Sequence, residues 1–475
     1  MSVGPQSHIR RLLLQASVVS LLIGFSFGDN AADSTNSRFS DQPAPYLDDA
    51  TLPKRTPPIL EIGDPFLGTG NLGRGFTLPT GAVWQPRFWV YGSARSTVQN
   101  YDSGAGGDTT EWVNRLNLFG NLQLTGTERV LIGVEPLHRG GDFSGYTLDS
   151  PRGDGGDEEL NFRLRTLFFE GDLGEIFPGL DREDFGSNDW GISLGRQQLF
   201  FQDGFLINDT VDVLGITRNS VTFGGIPWIS NIRTTFVFAP GEVNRHDNQK
   251  QSGADLYGLF TAVDTFFGTF NSTVELDVGY TDAPSSTNDD LIVIGLGAIQ
   301  RIGLFSTSLR VNYSIATQQE TANADDGLLL FGELSWTPVH TLDIVYVNAF
   351  WGEDQFRSLS RDALTGGPLG RTGILFAARG IGGFPAPLSN QADEAVGAAI
   401  GYQFLPGGYA SRRQLILEAG VREDNSPGGF DAVGLAVQFQ QAIGRRTIFI
   451  IDGFFAANDE TNNGHGIRTE ILVKF

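Results

Sequence analysis

From about Val83 to Phe475 the chain alternates. Segments of 8–14 residues place apolar side chains at every second position, and clusters of Gly, Asn, Asp and Pro separate them. In 112–124, Leu116, Leu118, Leu122 and Leu124 oppose Arg115, Asn117, Asn121 and Gln123. In 160–169, Phe162, Leu164 and Phe168 oppose Asn161, Arg163 and Arg165. In 231–238, Ile232, Phe236 and Phe238 oppose Asn231 and Arg233. In 273–280, Val274, Leu276, Val278 and Tyr280 oppose Thr273, Glu275 and Asp277. In 308–315, Leu309, Val311, Tyr313 and Ile315 oppose Ser308, Arg310, Asn312 and Ser314. The last segment sets Ile467, Ile471, Val473 and Phe475 against Arg468, Glu470 and Lys474. A period of two predicts strands with two different faces.

Eighteen segments qualify: 84–97, 111–125, 127–137, 159–171, 189–200, 219–224, 229–239, 254–264, 269–281, 290–301, 303–316, 326–337, 340–352, 391–404, 412–423, 430–443, 445–457 and 464–475. Most run longer than the 5–6 residues usual in soluble sheets. They match the roughly 9–11 tilted residues that cross a bilayer. Connections after odd-numbered segments are mostly long, those after even-numbered ones mostly tight; 172–188 is an exception. Long loops at one end and short turns at the other are the pattern of membrane barrels. A sheet in lipid has no water to satisfy open edges, so it must close. The expectation is an all-β fold: a single transmembrane antiparallel up-and-down β-barrel of about 18 strands (16–18), apolar faces to lipid and polar faces to a lumen. Trp84, Trp89, Trp112, Trp190, Trp228, Trp336 and Trp351 fall near segment ends, as interfacial girdles require.

Composition narrows the picture. The 475 residues are 40% hydrophobic and 19% charged, without the several continuous apolar runs of a helical membrane protein. Thirty-six Phe and seven Trp oppose a wholly disordered chain. With no Cys there is no disulfide, thiolate metal site or Cys nucleophile. A net charge of −22 argues against a nucleic-acid partner. Arg10 and Arg11 precede an uncharged apolar run, Leu12 to Phe27, with a small-residue exit at Gly24, Ser26 and Gly28. Residues 1–28 therefore read as a secretory signal peptide, and a retained anchor is the alternative. Residues 29–82 form a Pro/Gly/Asp-rich segment, periplasmic or plugging, with some order expected near 59–78; 83–475 form the barrel. The location implied is a bacterial outer membrane.

The last strand, Ile467-Arg-Thr-Glu-Ile-Leu-Val-Lys-Phe475, resembles the C-terminal signature of outer-membrane β-barrel proteins. The resemblance implies recognition by the barrel-assembly machinery. Trp190-Gly-Ile-Ser-Leu-Gly-Arg-Gln-Gln-Leu199, continuing Phe200-Phe-Gln-Asp-Gly204, resembles a strand of the alginate-export porin family. That resemblance covers about 15–30 residues. It implies an 18-stranded, Arg-lined barrel passing an anionic polysaccharide.

Under the barrel reading, Arg115, Arg163, Arg165, Arg196, Arg233, Arg310 and Arg468 are the basic lumen candidates. Glu275, Asp277, Glu333, Asp343, Glu418 and Asp452 are the acidic ones, mostly from later strands. A basic wall facing an acidic wall sets a transverse field that orients polar solutes. Guanidinium also forks onto carboxylate or phosphate. The same charges would equally pair across neighbouring strands and merely fill the lumen. Residues 201–218 are too apolar for an exposed loop and are expected to fold into the lumen as a constriction bearing Asp203, Phe205, Asp209 and Asp212. Two extra short strands are the alternative. Loop 353–390 is expected either to plug the pore or to cover it loosely.

Other motifs carry little. Gly68-Thr-Gly-Asn-Leu-Gly73 matches G-x-G-x-x-G without a preceding strand or following helix. Asp154, Asp157 and Glu158 are a weak Ca²⁺ candidate; their spacing matches no EF-hand, and a solvated loop is the ordinary reading. The five His are isolated, and no catalytic spacing is present. No cofactor is expected. The leading reading is a non-enzymatic channel for small hydrophilic, anionic or saccharide solutes, with the lipid bilayer as its surroundings. The alternative is a barrel with a blocked lumen, acting as an enzyme or as a sheath for a partner protein.

Overall fold

The computed structural model describes residues 55–68, 72–104, 106–151, 153–180, 189–222, 225–268, 270–406 and 411–475. The expected leader, residues 29–54 and the centre of the Gly68–Gly73 motif lie outside them.

Eighteen strands carry the fold: β1 Arg87–Asp102, β2 Thr109–Gln123, β3 Arg129–Val134, β4 Leu164–Asp172, β5 Trp190–Phe201, β6 Ile207–Val221, β7 Ile229–Ala239, β8 Asp255–Phe267, β9 Phe270–Asp282, β10 Leu291–Ile302, β11 Phe305–Ala316, β12 Gly327–Trp336, β13 Ile344–Asp354, β14 Ala395–Phe404, β15 Arg413–Asp424, β16 Ala432–Ala442, β17 Thr447–Asn458 and β18 Gly464–Lys474. Each pairs antiparallel with its neighbours, and β18 pairs β1 from His465↔Asp102 to Lys474↔Ser93, so the sheet closes. Tight turns at one end depend on residues that tolerate positive φ: Gly303 (φ 61°) links β10 to β11. Long connections occupy the other end.

The alternation read from the sequence becomes outside and inside. Leu276, Leu309, Ile400, Leu417 and Ile471 lie exposed on the outer face. Asp277, Arg310, Asn312, Glu418 and Arg468 lie buried on the inner one. An outer surface of exposed Leu, Ile, Val and aromatic residues fits hydrocarbon and not water. Trp190 and Trp228 are exposed near the short-turn end, Trp112 and Trp351 near the long-loop end. Trp89 departs from the girdle expectation: its odd position puts it inside, where Phe66 caps it edge-on at 5.1 Å.

Two strands differ from the sequence reading. The segment expected at 219–224 is a full strand, β6, starting at Ile207. Residues 201–218 are therefore the upper half of the β5–β6 hairpin, and the strand count does not rise. In β4, the register with β3 shifts between Leu164 and Thr166. This bulge reverses the alternation: Leu167 points outward and Phe168, expected with the lipid-facing set, lines the interior.

Ahead of the barrel, Leu60–Ile62 pairs with Val90–Phe88 of β1. It covers the stretch of β1 edge that β18 is too short to reach.

Candidate functional site

The lumen is shaped by two inward insertions. Pairing of β4 with β5 ends at Leu167↔Arg196, and pairing of β6 with β7 ends at Leu214↔Phe238. The β5–β6 ladder nevertheless continues to Phe201↔Ile207. The upper hairpin has thus left the wall and crosses the interior. Its tip docks on β9–β12: Gln202 Nε2 donates to Asp277 at 2.7 Å, Arg310 clamps Asp203 at 2.7 Å and also pairs with Glu275, and Phe205 packs on Phe331 at 4.8 Å.

The second insertion is residues 355–394. Ser360–Arg361 runs parallel to Ile207–Asn208. The Leu359 and Asp362 amides donate to the Leu206 and Asn208 carbonyls, both at 2.9 Å. Arg361, fully buried, donates to the carbonyls of Gly204 (2.7 Å), Gly366 (2.6 Å) and Gly367. Glu418 of β15 accepts from the Ile374 and Leu375 amides at 2.8 and 3.1 Å. The hairpin Glu242–Asn244/Lys250–Ser252 presses from above: His246 Nδ1 accepts from the Ser358 amide at 2.9 Å. Phe356, Leu359, Leu369, Leu375, Phe376 and Leu388 join Leu206, Ile207 and the inner face of β8–β17 in one apolar core. Each such side chain contributes about 1.5–3 kcal/mol on burial. Loop 353–390 is therefore a packed plug, not a loose cover.

A chamber of about 650 Å³ stays open against β1–β6. Six guanidiniums line it: Arg95, Arg115, Arg129, Arg165, Arg371 and Arg379. Four carboxylates, Glu135, Glu170, Asp209 and Asp362, line it too, and Asp452 lies 3.6 Å from Arg379 behind the lining. Arg115 donates to Glu135 and to the Gly380 carbonyl, both at 2.9 Å. Arg165 pairs with Asp362 and lies 3.5 Å from Glu135. Arg95 forks onto Glu470 at 2.7 and 2.8 Å, and Arg129 meets Glu170 at 2.5 Å. Arg371 has no carboxylate partner among the described residues and reaches over the Phe200 ring at 5.5 Å. Asn117, Gln197, Gln198 and Thr210 add neutral hydrogen-bonding groups.

Of the basic candidates, Arg115 and Arg165 line this chamber. Arg163 precedes β4 and is exposed away from it. Arg233 is exposed on the inner face of β7, outside the chamber. Arg196 shares its face with exposed Leu194 and pairs with Asp212 at 2.6 Å where the hairpin leaves the wall. Arg310 is consumed in clamping the hairpin tip, and Arg468 is buried against Asp452 at 2.7 Å. The expected acidic wall is mostly not a wall of the open path. Glu275, Asp277 and Glu418 anchor the insertions; Asp452 holds Arg468 and Gln438. Asp343 accepts from Tyr402 Oη at 2.6 Å at the short-turn end. Glu333 sits inside beside Ser308 and Asn348. Asp209 lines the chamber while accepting from Asn244 (2.5 Å) and Ser360. Asp154, Asp157 and Glu158 are exposed, and no metal-holding group of three His, Asp or Glu exists among the described residues.

Sequence reasoning missed Arg95, Arg129, Arg371 and Arg379. Arg95 was legible: it alternates with Ser93, Thr97 and Gln99 on the polar face of β1. Arg371 and Arg379 lie in a segment without period, so no facing rule applies.

No family model matches the sequence, and no curated protein matches it. Solved structures match in shape. The chain is similar to a BenF-like porin from Pseudomonas fluorescens Pf-5, with a TM-score of 0.55 and 12% identity, covering 82% of this chain and 98% of that one. It is similar to OccAB2 of Acinetobacter baumannii, with a TM-score of 0.52 and 10% identity, covering 82% and 98%. It is also similar to OccK2 (OpdF) of Pseudomonas aeruginosa in complex with glucuronate, with a TM-score of 0.50 and 12% identity, covering 82% and 98%. At these identities the likeness is one of fold, an 18-stranded barrel of porin type.

Proposed function

We propose that the protein is a bacterial outer-membrane channel through which small hydrophilic solutes bearing a carboxylate diffuse passively. The observation that carries this reading is the six-arginine chamber, kept open against β1–β6 while the inner face of β8–β17 is filled by the protein's own loops. A guanidinium offers parallel donors to a carboxylate, and several in one low-dielectric chamber attract anions from either mouth. The structural likeness to a porin solved with glucuronate supports a carboxylated sugar as one solute. In the same reading residues 1–28 are the export signal, the described residues ahead of β1 sit at the short-turn, periplasmic end, and the last strand with Phe475 engages the assembly machinery. The reading involves no catalysis.

Purified protein in planar bilayers tests this. Discrete conductance steps with anion preference are expected, with glucuronate reducing the current. Insertion without current rejects the channel. With Arg115→Gln and Arg165→Gln combined, an unchanged reversal potential rejects the arginine chamber as its selectivity element.

A further inference from the structure

A second cavity, of about 510 Å³, lies below the arginine chamber at the short-turn end. Trp89, Tyr91, Asn121 and Gln123 line it from odd positions of β1 and β2, the inner face that also carries Arg95 and Arg115. Arg129 lines both cavities, so the two are consecutive along the lumen. The opposite wall is not barrel. It is the segment ahead of β1: Thr56, Pro57, Pro58 and Phe66. Besides the pairing of Leu60–Ile62 with β1, three hydrogen bonds hold that segment there. The Ile59 amide donates to Val90 O at 2.9 Å, Trp89 Nε1 donates to Asp64 O at 3.2 Å, and Arg446 donates to Pro57 O at 2.7 Å.

The lining chemistry is distinctive. Arg445, Arg446 and Lys474 converge on the cavity, and none has a side-chain carboxylate partner among the described residues. The upper chamber differs, since most of its arginines are paired. No Asp or Glu side chain is among the lining residues. Phe66, Trp89 and Tyr91 add flat apolar faces. Unpaired cations beside aromatic rings bind an anion that carries a ring: the charge meets the ammonium and guanidinium groups while the ring lies on the aromatic wall.

We propose that this exit cavity, walled by the N-terminal segment, is a separate binding site for ring-bearing carboxylates, occupied after the arginine chamber on passage toward the periplasm. The inference rests on the channel reading for its place in the path, but binding at the site does not need current.

The test uses the full chain with sodium glucuronate as probe and sodium acetate, charged but ringless, as comparison. Probe is added to one side of the bilayer at a time. Because the chain has no Cys, Thr461→Cys and an impermeant thiol reagent report which side carries the long loops. Arg445→Gln combined with Lys474→Gln is expected to shorten glucuronate blocks from the short-turn side by about tenfold, as for lost charge-assisted contacts. Blocks from the long-loop side persist. Phe66→Ala is expected to leave acetate unchanged and erase the advantage of glucuronate. Unaltered short-turn-side blocks in the double variant, or sensitivity there only to Arg115→Gln, overturn the site. Should wild-type protein carry no current, the channel reading fails by itself. Calorimetric titration of glucuronate into detergent-solubilised wild type and double variant then decides the site: equal affinity overturns it, and loss in the variant upholds it.

Discussion

The lumen has two halves built from the same alternating strands. Against β8–β17 the inward side chains meet residues 355–394 and the hairpin tip, and the space is filled. Against β1–β6 they meet a chamber. Charges occur in both halves, with different work to do. Arg310 and Glu418 each satisfy several groups of an inserted loop. Arg115 and Arg165 also have partners but keep part of their surface toward open space. An inward charge therefore has no fixed meaning in such a barrel. What covers it decides whether it is an anchor or a contact for a passing ion.

The largest effect should come from dissolving the filled half. Glu418→Ala removes the acceptor of two buried amides, a loss of about 3 kcal/mol. The plug should detach and single-channel conductance rise severalfold; an unchanged conductance means Glu418 does not hold it. Next, Arg115→Gln with Arg165→Gln should shift reversal potentials toward neutrality, and the thermal midpoint should fall as well, since Glu135 and Asp362 lose their cations. Arg468→Gln, in the covered region, should lower the thermal midpoint and leave reversal potentials unchanged.

Acid should come third. Burial, then Arg357 and Arg361, hold His246 well below its ordinary 6.5. Arg245 adds to this from the same hairpin, while Asp393 and Asp289 pair with Arg357 and Arg245. A ring held neutral when folded contributes fully above the unfolded pKa, and its contribution falls as pH drops below about 6.5. Protonated Nδ1 also loses the ability to accept from Ser358. Proteolysis within 355–394 should therefore quicken between pH 7 and pH 5, and His246→Gln, which keeps an acceptor, should flatten that dependence. The smallest effect is Arg371→Gln: anion preference should drop slightly and stability stay within about 0.5 kcal/mol.

The wall was legible because lipid outside and water inside impose one rule on every strand. Segment 229–239 was read to the residue, and most others to within a few. The site was less legible. Val211 and Val213 of β6 face an apolar core rather than water, so that stretch lacked the polar face that marks its neighbours. The expected transverse field treated Asp452 and Glu418 as if nothing lay on top of them. Arg468 faces Asp452 across neighbouring strands, the pairing that the alternation left open, whereas the Ile374 and Leu375 amides that cover Glu418 lie in a loop with no sequence period.

The bulge in β4 has one more effect. Regular pleating sends only every second residue inward. Here Arg165 is surplus to the ladder, and it and the adjacent Thr166 both reach the chamber. One irregular step thus crowds two polar groups into the room normally given to one, placing an extra cation in the chamber without widening the cylinder or adding a stave to it.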